Sequence, residues 1–409
     1  MTVPDASATV KELISNLAGG SKNNGIPAKA LASVVLVILL ISIACGAGAW
    51  LFLTGLEIFT SWRVADGRWY LFAPLAGLLS GVWATVPRWL SPLIVVFTWI
   101  SHLAGLSVGR EGTAIQMGGG IAATFGSVFG FKQTESAKLL LQVGMACGFG
   151  AVFHVPVAAA VFALEVSRQR SRGFRLPTGA GAAVDVAKFA IYFLAALGAD
   201  FCAGALGAQH AHYPSFRLSD VVSVRGIGAC LVCGVFLGWV AWLFLFLLRE
   251  FRKRYATLIP QAWLRPTLAG GVFSLMFFAP EVLRRYAGLG AVEIAQFFHT
   301  VPEHWDWFGK LAFTVFALGA GFKGGEVTPL FFIGASLGAS TAGLVGLMPA
   351  SLASLGMVAV FGAAARVPIT CVVMAAELFG VQILPAAIPV CLIANWACRY
   401  SPLSEGKTD

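Results

Sequence analysis

The sequence predicts an all-α protein that crosses a membrane many times, and three observations lead to this prediction. Apolar residues make up 58% of the 409 residues and charged residues only 11%, whereas soluble domains hold about 45–50% and about 25%. Apolar runs such as Leu31 to Phe59 and Ile227 to Leu248 are long enough to span a hydrocarbon core. Glycine clusters interrupt other apolar runs, and this predicts broken and re-entrant helices.

The chain divides into three parts by polarity. Residues 1–28 are largely polar, with Lys11, Glu12 and Lys22 ahead of the first apolar run. This pattern lacks the features of a cleavable signal, so we expect a cytoplasmic N-terminus followed by a retained first helix. We assign residues 29–400 to the transmembrane domain and residues 401–409 to a short cytoplasmic tail.

The net charge of +9 is carried largely by loops between apolar blocks rather than by a nucleic-acid-binding surface. Two basic clusters follow apolar blocks, and the positive-inside rule places both in the cytoplasm. The clusters are Arg168, Arg170, Arg172 and Arg175, and Arg249, Arg252, Lys253 and Arg254. We therefore expect a partner in membrane lipid and none in nucleic acid.

Cysteine and histidine give no sign of a metal site or a cofactor. The eight cysteines are scattered through apolar segments, where we expect inert small core residues. The six histidines share no ligand spacing, and His210 and His212 are interpreted as loop residues. No residue pattern typical of a soluble enzyme appears, so we expect no enzymatic activity, no metal and no cofactor.

An internal repeat divides the transmembrane domain into two halves, roughly 29–206 and 221–400. The segment from Phe149 to Glu165 aligns without gaps on the segment from Phe361 to Glu377, an offset of 212 residues. The triplet Glu111-Gly-Thr113 aligns on Glu326-Val-Thr328 at an offset of 215 residues. Duplicated halves with interrupted helices are typical of transporters whose site lies at the repeat interface near the membrane midplane.

Glu111 is the first candidate site residue, because it stands where a glycine-rich loop opens an apolar helix. Unpaired N–H groups and the helix dipole make such a turn attractive to an anion. We expect the Glu111 carboxylate to occupy the turn, and to take up a proton when a mobile anion displaces it. The alternative is that Glu111 only neutralises Arg110 or the helix dipole. Burial of a carboxylate within a membrane is costly, however, and such carboxylates are usually functional.

The matching turn contains Gly325, Glu326, Val327 and Thr328 ahead of Pro329. Proline suits the first position of a helix, which would make Thr328 the N-cap. Its hydroxyl either caps the helix or donates a hydrogen bond to a bound anion, and both interpretations stay open. For Glu326 we favour a structural role, paired with Lys323.

At these residues the chain resembles the CLC family of anion transporters, over about Leu71 to Cys391. Its motif Gly109-Arg-Glu-Gly-Thr113 is similar to the family signature Gly-Arg/Lys-Glu-Gly-Pro, and Gly324-Gly-Glu-Val-Thr-Pro329 is similar to the third family signature. Thr113 and the Glu-Val-Thr triplet are the residues of the fluoride/proton antiporter branch. The resemblance implies a CLC-type inverted repeat, a homodimer and the export of fluoride in exchange for protons across the inner cell membrane.

The resemblance also implies roles for individual residues. Glu111 is implied to be the gating and proton-carrying glutamate, and Arg110 is expected to act mainly as its structural partner. The residues implied to lie around the anion path are Gly109, Arg110, Gly112, Thr113, Gly325, Glu326, Val327, Thr328 and, as the pathway tyrosine, Tyr400.

Two departures from the family pattern keep other functions open. An anion-coordinating turn expected after Trp83 is missing from the sequence, and Tyr400 stands outside the usual context of the pathway tyrosine. The alternatives are a chloride-type exchanger or passive anion channel on the same scaffold, and a degenerate homologue that does not transport.

Overall fold

The computed structural model describes residues 28–83, 93–131, 134–171 and 180–399. Within these ranges the chain forms sixteen α-helices and no β-strand. The first seven are α1 (Ala28–Ala65), α2 (Ala73–Trp83), α3 (Ile94–Leu103), α4 (Glu111–Val128), α5 (Thr134–Phe153), α6 (Pro156–Ser171) and α7 (Ala180–Ala205). The others are α8 (Val224–Leu258), α9 (Leu264–Ser274), α10 (Glu281–Arg284), α11 (Ala291–Gln296), α12 (Asp306–Ala320), α13 (Val327–Val345), α14 (Pro349–Ala365), α15 (Pro368–Phe379) and α16 (Leu384–Arg399).

Six described segments are long and apolar enough to cross a membrane. They are Ala32–Ala65, Ser136–Phe153, Ala182–Ala205, Val224–Leu258, Val327–Val345 and Val381–Arg399. Three further apolar helices, α3, α14 and α15, have only 10 to 17 residues, fewer than the roughly 20 that span a hydrocarbon core. The chain is therefore a multi-pass membrane protein with short helices, as the sequence predicted.

The first helix exposes an apolar stripe that suits contact with lipid. Val35, Leu39 and Ile43 stand four residues apart on α1, and all three are exposed. Positions at this spacing lie on one face of a helix. An apolar exposed stripe on an apolar helix is suited to contact acyl chains rather than water.

The internal repeat is visible in the backbone of each copy. In the first copy α5 turns into α6 at His154, which has a φ of 60°. In the second copy α14 turns into α15 at Arg366, 212 residues later, with a φ of 59°. Non-glycine residues adopt this left-handed conformation uncommonly, so its recurrence at equivalent positions confirms the alignment made from sequence.

The chain packs into two compact units. One comprises Met1–Thr54, Pro87–Leu93 and Ala114–His210, and the other comprises Gly55–Val86, Ile94–Thr113 and Ala211–Asp409. Their boundaries differ from those of the two repeat halves, which stay a prediction.

Glycines bring helix backbones into contact inside each unit. In the first unit a Cβ at Gly118 would lie 2.0 Å from the carbonyl oxygen of Gly144, so α4 and α5 touch there. In the second unit a Cβ at Gly334 would lie 2.1 Å from the carbonyl oxygen of Gly356, where α13 crosses α14. Small residues allow such close approach of membrane helices. A glycine contact of this kind lies in each of the two helices that begin at a glycine-rich turn.

We predict that Gly334→Ala destabilises the folded protein by about 1–3 kcal/mol, because the added methyl group has no space against α14. The matched control is Gly271→Ala in α9, where a Cβ would meet no atom within 4 Å. Thermal unfolding in detergent measures both variants. Equal midpoints for Gly334→Ala and Gly271→Ala would contradict the packing argument.

Candidate functional site

Two glycine-rich turns of the second unit lie against each other. The N–H of Gly109 donates to the carbonyl oxygen of Gly325 at 2.5 Å, and the N–H of Gly325 donates back to Gly109 at 2.6 Å. The two residues form an isolated antiparallel bridge. This bridge joins the residues that precede α4 to the residues that precede α13, so two turns that the sequence only aligned are in direct contact.

Only glycine fits this bridge. A Cβ at Gly109 would lie 2.9 Å from the Glu111 carboxylate and 2.9 Å from the Cδ of Pro329. A Cβ at Gly325 would lie 2.6 Å from the backbone nitrogen of Gly112. The glycines therefore allow the two turns to approach closely enough for side chains to reach across.

The Glu111 side chain crosses from one turn to the other. Glu111 is the first residue of α4, and its side chain is buried. One carboxylate oxygen accepts a hydrogen bond from the backbone N–H of Thr328 at 3.0 Å, and the other accepts from the Thr328 hydroxyl. Such charge-assisted hydrogen bonds are among the strongest in proteins. The carboxylate thus occupies an anion-binding position at the start of α13.

This geometry changes one detail of the sequence interpretation. The helix that receives the Glu111 carboxylate is α13, whereas the glutamate was expected to occupy the turn of its own helix. The prediction that Thr328 is the N-cap and that Pro329 is the first helical residue is also wrong. The N-cap is Glu326 and α13 begins at Val327, and Pro329 is accommodated because the first four N–H groups of a helix have no partner within it.

Arg110 completes the surroundings of the carboxylate. Its backbone N–H donates to Glu111 at 3.1 Å, and its guanidinium Nε lies 3.3 Å from the other carboxylate oxygen. The Arg110 side chain is 18% exposed, so the ion pair is largely shielded from water. These contacts support the expectation that Arg110 acts as a structural partner of Glu111.

The other candidates occupy different surroundings. Val327 is buried next to Thr328, whereas Glu326 is half-buried. In the described part of the chain Glu326 and Lys323 form no ion pair, so the expected pairing is not formed. Tyr400 lies outside the described residues, as does the segment that follows Trp83.

Sequence reasoning missed two buried hydroxyl pairs near the site. The Thr113 hydroxyl lies 2.7 Å from the hydroxyl of Thr98 in α3, and the Ser107 hydroxyl lies 2.9 Å from that of Thr314 in α12. All four residues are buried. Single hydroxyl residues in apolar helices are common, so their pairing could be recognised only in the fold.

Tyr213 is another residue that the sequence did not single out. Its ring packs against Phe298 and Phe379, with centroid distances of 5.4 and 5.6 Å. Its phenol lies within electrostatic range of Arg110 and Glu111. A tyrosine in a polar loop between the two repeat halves gives no local signal of this position.

Comparison with protein families identifies the class to which this fold and site belong. The model of the voltage gated chloride channel family matches residues 84–399. Since this is more than half of the chain, the chain belongs to the voltage gated chloride channel (CLC) family.

Individual relatives show which kinds of protein in the family this chain resembles. A chloride/fluoride channel protein from Pseudomonas syringae pv. tomato (strain ATCC BAA-871 / DC3000) is 35% identical, with 86% of this chain and 81% of that protein covered. An H(+)/Cl(-) exchange transporter from Vibrio cholerae serotype O1 (strain M66-2) is 26% identical, with 67% of this chain and 59% of that protein covered.

Solved structures agree with the assignment. The crystal structure of a CLC-type fluoride/proton antiporter has a TM-score of 0.78 and 29% identity, and the match covers 91% of this chain and 97% of that chain. A slow cyanobacterial Cl-/H+ antiporter has a TM-score of 0.75 at 19% identity, covering 89% of this chain and 93% of that chain, and shows the same fold.

We predict that Gly325→Ala lowers the transport rate about tenfold or more. The added Cβ would collide with the backbone of Gly112, so the turns must separate and Thr328 moves away from Glu111, and small misplacements at such a site have large effects. Anion flux from proteoliposomes measures the change.

The control for this prediction is Gly271→Ala, which adds the same methyl group where no atom lies within 4 Å. Both variants are first checked for intact folding by gel filtration. A Gly325→Ala protein that is folded and transports at the parental rate would show that the glycine bridge is dispensable.

Proposed function

We propose that this protein is a secondary active transporter that exports fluoride in exchange for protons, with Glu111 as the gating and proton-carrying residue. One observation carries the proposal. The Glu111 carboxylate takes up the donors that the start of α13 offers, namely the N–H and the hydroxyl of Thr328. A helix start that binds a carboxylate offers the donors that another anion can also use.

The geometry supports coupling by competition. An arriving anion needs the same two donors of Thr328, so it can bind there only when the Glu111 side chain leaves. A displaced carboxylate loses its hydrogen bonds inside a membrane protein, where an uncompensated charge is costly. Uptake of a proton removes that cost, so anion binding at the site is linked to the protonation of Glu111.

Fluoride preference follows from the chemistry of the donors. Fluoride is small and strongly hydrated, so a binding site must replace its water with short hydrogen bonds. The Thr328 hydroxyl supplies such a donor in addition to the helix N–H groups. The proposal is also supported by the names of the relatives, because one is a chloride/fluoride channel protein and one structure is a fluoride/proton antiporter.

Chloride/proton exchange is the second candidate function. The H(+)/Cl(-) exchange transporters among the relatives favour it. The substrates of the two candidates differ but the coupling residue is the same, so only a comparison of fluoride and chloride flux separates them. The Glu326-Val-Thr328 triplet in place of bulkier apolar residues favours fluoride.

The location, oligomeric state and partners of the protein are also part of the proposal. We place the protein in the inner cell membrane as a homodimer with one pathway in each subunit, as the family resemblance implies. We assign its partners as the anion, protons and lipid. We also propose that Gly109, Gly112, Thr113, Gly325, Glu326 and Val327 surround the anion path.

We predict that Glu111→Gln abolishes proton coupling. Glutamine can fill the position of Glu111, but it carries no charge and cannot bind and release a proton at physiological pH. Proton uptake driven by a fluoride gradient in liposomes is expected to vanish, while any remaining fluoride movement becomes passive. Parental proton uptake by the variant would exclude Glu111 as the carrier.

We predict that Thr328→Val lowers fluoride affinity roughly ten- to hundredfold and changes chloride flux little. The variant keeps the shape of the side chain and removes one donor, and a hydrogen bond to a charged acceptor contributes about 1.5–3 kcal/mol, which is one to two decades in affinity. Fluoride- and chloride-selective electrodes measure efflux from proteoliposomes at matched pH gradients.

The matched control is Thr341→Val in the same helix, because the Thr341 hydroxyl donates to the carbonyl of Leu337 within that helix rather than to Glu111. A parental protein that passes chloride as readily as fluoride would favour the chloride-type exchanger. An unchanged ratio in Thr328→Val would show that its hydroxyl does not select the anion.

A further inference from the structure

Three residues of types that bind metals converge in the first unit, away from Glu111 in the sequence. His154 lies in the turn between α5 and α6, Asp200 lies in the last turns of α7, and His210 follows the end of α7. One potential ligand atom from each residue lies within 4.8 Å of the other two. We propose that His154, Asp200 and His210 form a binding site for a divalent transition-metal ion of the zinc class.

The contacts between the three residues form a compact cluster. The Nδ1 of His154 lies 2.9 Å from a carboxylate oxygen of Asp200. The rings of His154 and His210 stack with a centroid distance of 5.0 Å and an angle of 28° between their planes. A simple ion pair between His154 and Asp200 would need no second histidine, and the stacked position of His210 therefore points to a shared ligand.

The donor set suits zinc rather than magnesium or calcium. Zinc binds imidazole nitrogen and carboxylate oxygen at about 2.0–2.2 Å, and two histidines with one carboxylate form a known zinc ligand set that leaves a position for water. Magnesium and calcium prefer oxygen ligands. Ligands of one tetrahedral zinc stand about 3.3 Å apart at those bond lengths. The His154–Asp200 pair at 2.9 Å must therefore open slightly, and any wider pair, up to 4.8 Å, must close modestly.

The exposure of His154 and the burial of Asp200 permit this adjustment. The His154 side chain is 63% exposed, which leaves it room to rotate toward the ion once its hydrogen bond to Asp200 opens. The Asp200 side chain is only 7% exposed and is held by α7. Binding of the metal at Nδ1 breaks the hydrogen bond between His154 and Asp200, and the neutral imidazole then carries its hydrogen on Nε2. The rigid carboxylate then serves as the fixed ligand, and the histidines adjust to it.

The surroundings of His210 also fit a metal ligand. Its Nε2 lies 2.9 Å from the carbonyl oxygen of Ala151, so this nitrogen carries the hydrogen and donates it. In a neutral imidazole with its hydrogen on Nε2, the Nδ1 is the nitrogen that can bind a metal ion. Histidine ligands of metals almost always donate their second N–H to a carbonyl or carboxylate in this way.

The backbone conformation of His154 is set by the fold and not by the proposed metal site. Its left-handed φ recurs at Arg366 in the second repeat, so the fold imposes it at both turns. The two copies differ in the side chain at this position. Arg366 replaces the histidine in the second copy, and its guanidinium has no electron pair for a metal ion. The proposed site is therefore a property of the first repeat alone.

The position of the cluster along α6 and α7 indicates which side of the membrane it faces. Arg168 near the end of α6 pairs with Asp185 near the start of α7. Asp185 and Asp200 stand fifteen residues apart on α7, which is about 22 Å along a helix. The arginine-rich end is cytoplasmic by the positive-inside rule, so the cluster faces the opposite side, where external metal can reach it.

The test is a titration of the purified full-length chain in detergent with ZnCl2, after removal of any polyhistidine tag, followed by isothermal calorimetry. We expect saturable binding of one zinc ion per chain. His154→Gln, Asp200→Asn and His210→Gln are each expected to weaken binding at least tenfold. The matched control is His212→Gln, an exposed histidine two residues beyond His210, which is expected to bind zinc like the parent.

A second measurement separates lost binding from lost folding. Zinc is expected to raise the thermal unfolding midpoint of the parent and of His212→Gln, whereas MgCl2 at the same concentration is not. The His154→Gln and His210→Gln proteins are expected to unfold at the parental midpoint without zinc and to show no rise with it. The absence of a saturable zinc site in the parent, or parental affinity in His154→Gln and His210→Gln, would overturn the proposal.

Discussion

The arrangement of the site depends on how one carboxylate is stabilised away from water. Glu111 is buried, and a buried charge without partners costs several kcal/mol. Four donors compensate for this cost: the backbone N–H and hydroxyl of Thr328, and the backbone N–H and guanidinium of Arg110. Two of the four belong to another helix, so the carboxylate is satisfied only while α4 and α13 begin side by side.

Close approach of the two turns follows from glycine. Hydrogen bonds in both directions join Gly109 and Gly325, and a side chain at either residue would collide with the opposite turn. Farther along α13, Gly334 lies against Gly356 of α14 and lets these two helices touch. The glycines therefore position the donors, and the donors hold the carboxylate. The same donors suit a small anion, so in the proposed mechanism the anion and the Glu111 carboxylate exclude each other.

The two repeats have similar local backbone conformations, but their equivalent residues have different contacts. The triplets that begin with Glu111 and Glu326 have the same residues at their first and third positions. Glu111 is nevertheless the first residue of α4, whereas Glu326 precedes α13 as its N-cap. Thr113 pairs with Thr98, whereas Thr328 donates to Glu111. One copy thus supplies the acid and the other supplies its donors, and the site arises from this difference.

The sequence by itself determined the class of protein, the repeat and the residues of the two turns. Apolar runs, scarce charge and glycine clusters are local properties, and an offset of 212 residues can be read without a structure. Only the tertiary structure decided which helix receives Glu111, because the donors of α13 lie 217 residues away along the chain. It likewise brought His154 and His210 into contact, although their spacing resembles no ligand motif. Contacts of this kind depend on how helices cross, and helix crossing is set by packing between distant segments rather than by any local pattern.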